Sequence, residues 1–443
     1  DLAALYDTYE RMPSEKYVSP EIMLKIMLYA YHEGKEISSR TIEKNCKRDI
    51  NYMYLLEGRR APDHAAIARF RTKHFGKCAN LFLSQMTKIL LELKQLTKTE
   101  VFIDGTKIEA SANKYTFVWK KAVTKHQEKY LRKTALLVGD IIERYGCKPL
   151  WRKQVKKKHV KKLLKQLKIE AEKRELEFVS GRGHRKQQLQ KDIEDLEAAL
   201  QKLKEYETKL HRCGARNSYS KTDHDATFMH MKEDHMMNGQ LKPAYNIQHA
   251  VNSGFIVAAK VFPNPTDVMT LKPFMEQMEA SLQFQFERVV ADAGYESEEN
   301  LVYLRDKGIE AYIKPSNYEQ IGTKKFEKEI GRKENMQYDQ AGDYYICHNG
   351  KRVEKTGVKT RKTASGYLRE ETHYECKDCS GCLCKEKCLA GKNWKKPLEE
   401  RNKKLTVSRL FEEMREEEYR LINSEEGKKL RMNRSIQAEG GFA

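Results

Sequence analysis

Two short apolar runs, each closed by an aspartate with a glycine close behind, dominate the pattern of hydrophobic and polar positions along the chain. Val101–Ile103 leads to Asp104, and Val289–Ala291 leads to Asp292. Runs of this length favour buried strands over amphipathic helices, so we expect each acid at a strand end. Asp-Gly pairs are also common in ordinary turns. As a pair, the two acids predict carboxylates that share a divalent cation.

Residues 1–96 show helical periodicity, with helix starts predicted at Ser19 and Ser38. Short helices joined by tight turns are typical of a helix-turn-helix DNA-binding domain, and Arg69 and Arg71 would be among its DNA contacts. A plain helical bundle with a basic rim explains the same pattern. On this stretch alone the two interpretations are equally good.

The segment 115–215 has no strand pattern. Within it, the stretch 151–210 is rich in Lys, Glu, Gln and Leu, and Ser180–His184 interrupts its helical periodicity, so we predict that this stretch folds back as an antiparallel helical hairpin. Apolar residues in its second half are mostly four and three apart, which indicates a coiled-coil seam formed by Leu189, Ile193, Leu196, Leu200, Leu203 and Leu210.

Strand patterns return after this insertion as two runs joined by the turn signal Asn252–Gly254. A helix, the Asp292 strand, a second helix and a strand at 311–314 follow. Without the insertion, the order is strand, hairpin, helix, strand, helix, strand, which is the order of a ribonuclease-H-like core. The first and fourth strands of that core are neighbours, so Asp104 and Asp292 would come together.

These patterns predict a mixed α+β chain. Its expected parts are an all-α, helix-turn-helix-like domain at 1–96, a ribonuclease-H-like mixed sheet core at 97–114 and 216–315, the helical hairpin insertion at 115–215, a basic and irregular cysteine-rich insertion at 316–404, and a C-terminal helical part of the core at 405–443.

Five of the ten cysteines lie between Cys376 and Cys388, a stretch that we call the cysteine loop. Such clustering favours metal binding in a reducing cytoplasm over a disulfide framework. Thiolates at these short spacings can close a tetrahedral zinc site, for which we take Cys376, Cys379, Cys382 and Cys388 as ligands and Cys384 as the spare. An iron-sulfur cluster is the alternative, although no redox motif accompanies it.

The composition adds a partner to this pattern. The chain of 443 residues carries a net charge of +20, which points to a polyanion, with nucleic acid favoured over an acidic membrane surface. No apolar stretch of the sequence approaches the length needed to span a bilayer. No secretory signal is visible, although the sequence begins at Asp1 rather than at a methionine.

With these stretches in view, the chain resembles bacterial insertion-sequence transposases of the DDE class, in the subgroup with an N-terminal helical DNA-binding region and a split ribonuclease-H-like core. The cysteine loop also resembles one found in this subgroup between the second and third acids. The matching motifs cover nearly the whole chain in the expected order and are Pro62-Asp63-His64 with Phe70-Arg71, Ile103–Ala110, Thr222-Asp223 with Asp225-Ala226, Asn246–Gln248, Ala291–Tyr295, and Arg434 with Glu439 and Phe442.

The resemblance implies that Asp104, Asp292 and Glu439 form a catalytic triad that holds two Mg²⁺ or Mn²⁺ ions. Arg434 looks like the basic residue that precedes the glutamate in the family and contacts DNA near the scissile phosphate. The expected reaction is hydrolysis at the element's ends, followed by attack of the freed 3′-hydroxyl on target DNA, without a covalent enzyme intermediate. Further DNA-binding candidates are Arg431 and Lys107.

The expected partners are double-stranded DNA, as terminal inverted repeats and as target, and a second copy of the chain, because paired ends demand at least a dimer. The expected location is the bacterial cytoplasm, at the nucleoid. The sequence stops four residues after Glu439, where the family continues its helix, so a truncated transposase that only binds DNA is the alternative function. A host nuclease of the same fold is another. Lesser candidates for the site are Tyr115, Asp223, Asp225 and Asp267.

Overall fold

The structure is a computed structural model that describes residues 1–10, 17–34, 37–148, 154–181, 185–231, 239–389 and 396–440, with the side chain of Glu439 left out. The fold is mixed α+β, 49% helical and 19% strand, as predicted. The chain divides into two compact units. The first comprises residues 1–105, 248–260 and 267–443, and the second comprises residues 106–247 and 261–266.

In chain order, the helices are α1 Ala3–Tyr6, α2 Pro20–His32, α3 Ser39–Cys46, α4 Ile50–Leu55, α5 His64–Arg69, α6 Gly76–Glu92, α7 Lys120–Tyr145, α8 Lys157–Lys173, α9 Gln188–Cys213, α10 Leu271–Leu282, α11 Glu298–Asp306, α12 Lys324–Glu327, α13 Lys385–Cys388, α14 Arg409–Asn423 and α15 Glu425–Arg434. The strands are β1 Glu100–Glu109, β2 Phe117–Trp119, β3 Ser218–Ser220, β4 Thr227–His230, β5 Leu241–Asn252, β6 Phe255–Phe262, β7 Arg288–Ala291, β8 Glu310–Ile313, β9 Gln337–Asp339, β10 Tyr344–Ile346, β11 Arg352–Lys362, β12 Leu368–Cys376 and β13 Lys404–Val407.

The N-terminal helices begin where the sequence places capping residues. The Ser19 and Ser38 hydroxyls accept the backbone N–H groups that open α2 and α3, and the Asp63 carboxylate does the same for α5. The apolar stripes of these helices form one core, with Ile26 and Ile67 fully buried. The predicted all-helical segment is therefore present.

The core sheet has the strand order of a ribonuclease-H-like fold. In the first unit, β1 pairs in parallel with β7, and β7 pairs in parallel with β8. On the other side β1 neighbours β5, which also pairs with β6. The turn between β5 and β6 is the predicted one, and both Ser253 and Gly254 have positive φ, as a two-residue hairpin turn requires. Asp104 and Asp292 are thus carried by neighbouring strands.

The second unit contains three long helices. Two of them, α8 and α9, lie on either side of the predicted break and pack antiparallel, with the ion pairs Lys157–Glu207 and Lys168–Glu197 between them, so the predicted hairpin is present. The preceding helix α7 adds a third arm that was not part of the prediction. Helix α9 packs against both α7 and α8, because its apolar seam contacts apolar residues from each of them. The predicted seam residues Leu189, Ile193, Leu196 and Leu203 are buried there. The middle of the predicted break, residues 182–184, lies outside the described residues.

The segment after β8 forms a second sheet, so the prediction of an irregular segment is wrong. Its strand order is β13-β12-β11-β10-β9, and the pairs within it are antiparallel. The alternation of apolar and polar residues is hidden in the sequence because β11 is mostly exposed and rich in Lys and Arg. Tyr345 and Tyr374 pack edge to face in the core that this sheet does have.

The last two helices, α14 and α15, lie on the core sheet. Glu418 of α14 accepts a hydrogen bond from the backbone N–H of Ile313 at 3.0 Å, and Arg415 pairs with Glu296 at 2.6 Å. Leu430 of α15 and Ala438 of the π-helical turn Ser435–Glu439 are buried in the same cluster as residues of β1 and β7. Across the described chain, we find no helix with the length and apolar character needed to cross a membrane.

Candidate active site

Asp104 is buried in the middle of β1 and is only 3% exposed. The prediction that it lies at a strand end is wrong, because β1 continues to Glu109. The parallel pairing with β7 nevertheless stops before it, at Phe102 and Val290. The Asp104 Oδ1 atom accepts a hydrogen bond from the backbone N–H of Gly105 at 2.8 Å, which fixes the orientation of the carboxylate.

Asp292 follows β7 directly, as predicted for a strand-end acid. Its Oδ1 atom accepts the backbone N–H of Gly294 at 2.8 Å and so caps the short 3-10 turn Ala293–Tyr295. Because β1 and β7 are parallel neighbours, both strands deliver their acids to the same edge of the sheet.

Arg434 lies between the two acids. Its Nη2 atom is 3.1 Å from Asp104 Oδ1 and 3.9 Å from Asp292 Oδ2, and its side chain is 15% exposed. Leu430, Arg434 and Ala438 are four residues apart, so they share the helical face that packs on the sheet. The packing of α15 therefore places a guanidinium group against both carboxylates.

Asp267 is a third acid at this place, although the sequence makes it only a lesser candidate. Its Oδ1 atom accepts a hydrogen bond from Gln248 Nε2 at 2.8 Å. The carboxylate also acts on the pKa of Asp292. The sequence does not reveal the importance of Asp267, because an acidic residue is common at the start of a helical turn and needs no functional explanation there. We call Asp104, Asp267, Asp292 and Arg434 the acidic pocket.

Charge in the acidic pocket is uneven. Burial raises the pKa of Asp292, the carboxylates of Asp104 and Asp267 raise it further, and Arg434 and the N–H of Gly294 lower it. Burial, and then the three carboxylates, raise the pKa of the fully buried Tyr295 hydroxyl well above its usual range. The hydroxyl therefore stays protonated and donates a hydrogen bond to Gln248 Oε1.

The oxygen donors of the acidic pocket suit a hard divalent cation such as Mg²⁺. The two carboxylates already hold positive charge between them, in the guanidinium group of Arg434. Within the described residues, no three or more His, Cys, Asp or Glu side chains are grouped as a complete metal site. Glu439, the third predicted ligand, ends the π-helical turn after Arg434, but its side chain lies outside the described residues.

The other predicted DNA-binding residues are spread over both units. Arg431 of α15 lies over the ring of Tyr318, 5.1 Å from its centroid. Arg71 donates to the carbonyl oxygen of Ile37 at 2.9 Å, so it also braces the N-terminal helices, whereas Arg69 is exposed. In the second unit, Lys107 donates to the carbonyl oxygen of His230 at 2.9 Å.

The lesser candidates in the second unit have local partners. Asp223 accepts hydrogen bonds from the hydroxyl of Tyr245 at 2.8 Å and from the backbone N–H of Asp225 at 3.2 Å. Tyr115 is 73% exposed. These contacts are those of loop residues, and none of them involves a residue of the acidic pocket.

The cysteine loop follows β12, and its thiols are free. Cys376 and Cys379 are buried in the core of the second sheet, and the Cys379 sulfur accepts the backbone N–H of Lys403 at 3.4 Å. Cys347, at the turn before β11, packs against the same cluster. Sequence reasoning missed Cys347 because it weighed only the short spacings inside the loop. Its place in a Cys-His-Asn-Gly turn was the available signal.

Three family models match parts of the chain. A family model described as "Transposase domain (DUF772)" matches residues 1–73. Two models described as "Transposase DDE domain" match residues 216–383 and 346–443. The chain matches no curated protein and no solved structure. The matches cover the N-terminal helices and the strands and helices that carry Asp267, Asp292 and Arg434.

Proposed function

Because the chain belongs to the insertion-sequence DDE transposases, we propose that it binds the ends of its own element, cleaves them in a reaction assisted by divalent metal, and transfers the freed 3′-hydroxyl to target DNA. The observation that carries the proposal is the convergence of Asp104 and Asp292 on the guanidinium group of Arg434. Two acids far apart in sequence need no such meeting if they only close turns.

In the proposed reaction, Asp104 and Asp292 would hold Mg²⁺ or Mn²⁺, with Glu439 as the third carboxylate. Two such ions would activate the attacking water or 3′-hydroxyl and neutralise the leaving oxygen. The backbone N–H groups of Gly105 and Gly294 keep one oxygen of each aspartate oriented. In this proposal the second oxygen, Oδ2, of each aspartate would bind the metal.

Arg434 has two roles in this proposal. It neutralises part of the charge that Asp104 and Asp292 bring together, and this favours the ionised form of Asp292. When DNA enters, the same guanidinium group is placed to donate hydrogen bonds to the phosphate next to the acids. The net charge of +20 supports binding of the DNA backbone elsewhere on the chain.

Zinc at the cysteine loop, a homodimer in the DNA complex and a cytoplasmic location are further parts of the proposal. Cys376, Cys379, Cys382 and Cys388 are the zinc ligands in it, and the burial of Cys376 and Cys379 at the end of β12 supports a structural role. Two DNA ends must be held for strand transfer, and this requirement supports at least two copies of the chain.

The test uses DNA that carries the ends flanking the gene for this chain. Asp104→Asn and Asp292→Asn should abolish Mg²⁺-dependent cleavage while binding of the ends is retained, because each variant removes a charge and preserves shape. Asp306→Asn, an exposed acid at the end of α11, is the matched control and should cleave normally. Normal cleavage by Asp104→Asn refutes the assignment. A wild-type chain that binds without cleaving is instead a DNA-binding protein only.

A further inference from the structure

Asp267 belongs to a hydrogen-bonded chain that crosses the floor of the acidic pocket. The Tyr295 hydroxyl donates to Gln248 Oε1, and Gln248 Nε2 donates to Asp267 Oδ1 at 2.8 Å. A carboxylate can only accept these bonds, so the orientation of the Gln248 amide between its two partners is fixed. The chain links β5, the turn after β6 and the turn after β7.

Both oxygens of Asp267 lie against the backbone that follows a catalytic candidate. A Cβ atom placed on Gly105, next to Asp104, would meet Asp267 Oδ1 at 2.9 Å and come still closer to Gln248 Nε2. A Cβ atom on Gly294 would lie 3.3 Å from Asp267 Oδ2 and 2.9 Å from Asp292 Oδ1. One carboxylate therefore contacts the strand backbone just after Asp104 and the turn just after Asp292.

The two glycines are explained by this close approach rather than by turn geometry. Gly105 and Gly294 are not among the residues with positive φ. Any side chain at Gly105 would displace Gln248 or Asp267, and any at Gly294 would press on Asp267 and Asp292. A glycine closely follows each acid in the sequence because neighbouring side chains, Asp267 and Gln248 at Gly105 and Asp267 at Gly294, occupy the space that a larger residue would need.

The Asp267 turn is itself held rigidly. The N–H and the hydroxyl of Thr270 both donate to the carbonyl oxygen of Asp267, at 2.9 and 2.8 Å. The buried Asn300 side chain donates to the carbonyl oxygens of Val268 and Tyr295, at 2.9 and 2.8 Å. Asn300 thereby ties the turn that carries Asp267 to the turn that follows Asp292.

We infer that Asp267 and Gln248 are positioning residues that set the separation of Asp104 and Asp292 for binding of the metal. The inference rests on the proposed function. Asp267 acts by shape and hydrogen bonding, as an acceptor for Gln248 that fills the space beside both glycines. It differs in this from Asp104 and Asp292, which in the proposed function act through their charge.

The measurement is the Mg²⁺ concentration that gives half-maximal cleavage of the element's ends. Asp267→Ala should raise it by about 10- to 100-fold, because the partners behind metal ligands typically contribute that much to affinity. Asp267→Asn keeps an acceptor oxygen for Gln248, so its Mg²⁺ requirement should be close to that of the wild type. Gln248→Leu should match Asp267→Ala, and the double variant should lose little more, because the two residues act as a unit.

Two control variants carry the same chemical changes elsewhere in the first unit. Asp306→Ala removes an exposed acid, and Gln285→Leu removes a glutamine whose Nε2 donates to the Lys307 carbonyl oxygen. Neither should change the Mg²⁺ requirement. Thermal unfolding of each variant separates a change in the pocket from a change in folding.

Two results would overturn the inference. The first is an unchanged Mg²⁺ requirement in Asp267→Ala, which means that Asp267 does not position the acids; if the melting temperature falls at the same time, its role is purely structural. The second concerns Asp267→Asn. Asp267→Asn as impaired as Asp267→Ala means that the charge acts directly on the metal. Asp104→Asn, run in parallel, reports separately on the proposed function, because normal cleavage by that variant refutes it whatever Asp267 does.

Discussion

The acidic pocket and the cysteine loop both contain side chains of the types that bind metals, but they are assembled in opposite ways. The pocket draws its residues from β1, the turn after β6, the turn after β7 and α15, segments that are far apart in the sequence. The loop draws most of its thiols from neighbouring positions between Cys376 and Cys388. The sequence therefore displays the loop openly and hides most of the pocket.

The two regions also differ in how their polar groups are held. In the pocket, each acid has a named partner within the protein: Gly105 for Asp104, Gly294 for Asp292 and Gln248 for Asp267. In the loop, Cys376 and Cys379 are buried, whereas Cys382, Cys384 and Cys388 are only half-buried. The positions of the carboxylates in the pocket are therefore set by hydrogen bonds of the fold. The positions of the half-buried thiols in the loop would instead be set by the metal ion that they are proposed to bind.

Alanine at one glycine of each region gives the largest expected contrast. Gly105→Ala places a Cβ atom against Gln248 and Asp267, so we expect cleavage to fall by about 100-fold or more, as misplacement of a catalytic group by about 1 Å can do. Gly381→Ala meets open space but has φ +64°, so it should cost about 1 kcal/mol of local strain and leave cleavage nearly intact. Cleavage rates and melting temperatures of both variants provide the check.

An equal loss of cleavage in Gly105→Ala and Gly381→Ala would contradict this contrast, because it would mean that the cysteine loop also contributes to cleavage. A further control is Gly139→Ala in the middle of α7, where, among the described residues, the new Cβ would meet nothing within 4 Å beyond the backbone of its own helical turns. It should be neutral or slightly stabilising, since alanine favours helix more than glycine does.

Zinc content gives the next largest effect, and it is confined to the loop. Cys379→Ser should reduce bound zinc from about one ion per chain to a small fraction, because a tetrahedral thiolate site tolerates no missing ligand. Cys347→Ser should also reduce it, since Cys347 packs against the same cluster as Cys376 and Cys379. Elemental analysis of the purified chain measures both.

Cys384→Ser is the matched control within the loop and should retain its zinc. Asp104→Asn should retain it as well, because Asp104 is not among the proposed zinc ligands. Full zinc content in both Cys379→Ser and Cys347→Ser would mean that the cysteine loop does not bind zinc, and the acidic pocket would then be the remaining proposed metal site.

The pH profile of Arg434→Gln tests the electrostatics of the pocket. Arg434 lowers the pKa of Asp292, whereas burial and the neighbouring acids raise it. Without Arg434, Asp292 should hold its proton to higher pH, and a protonated carboxyl group binds metal poorly. Cleavage should therefore fall more at about pH 6 than at about pH 8.5 relative to the wild type. Arg305→Gln, an exposed arginine of α11, should leave the profile unchanged.

The sequence predicted those parts of the molecule that depend on local pattern. The β7 strand with its acid, the hairpin at Ser253 and the buried seam of α9 were all found in this way. The second sheet was missed because its longest strand, β11, is mostly exposed and charged, so pairing rather than burial defines it.

The pocket could be predicted only in part, for a related reason. Asp104 and Asp292 stood out because each closes an apolar run. Gln248 and Tyr295 were noted only as members of the stretches Asn246–Gln248 and Ala291–Tyr295 that resemble family motifs, and nothing in those stretches indicated a role for them. Their contacts with Asp267 depend on the order of strands in the folded sheet, and a short stretch of sequence does not reveal that order. The division into five domains and the role of Glu439 stay predictions.

The smallest expected effect on cleavage concerns Glu418, which is expected to affect mainly the stability of the fold. Glu418 of α14 is buried against the end of β8, where burial raises its pKa to about 8 and the nearby Glu417 and Glu296 add to the shift. The folded chain therefore keeps this proton while the unfolded chain, with an ordinary glutamate, releases it. Stability should decline by about 3 kcal/mol as the pH rises from about 5 to 8 and should then level off.

Glu418→Gln is neutral at every pH and keeps an acceptor for the backbone N–H of Ile313, so it should remove most of this decline. Its melting temperature should match that of the wild type at about pH 5 and exceed it at about pH 8. Glu416→Gln, two residues earlier and exposed, should follow the wild type throughout. Because α14 leads into the helix of Arg434, a stabilised Glu418→Gln chain with unchanged cleavage would mean that the pocket is held by its own hydrogen bonds. A changed cleavage rate would mean instead that the geometry of the pocket depends on how α14 and α15 pack on the sheet. The pocket would then, like the cysteine loop, depend on something other than its own hydrogen bonds.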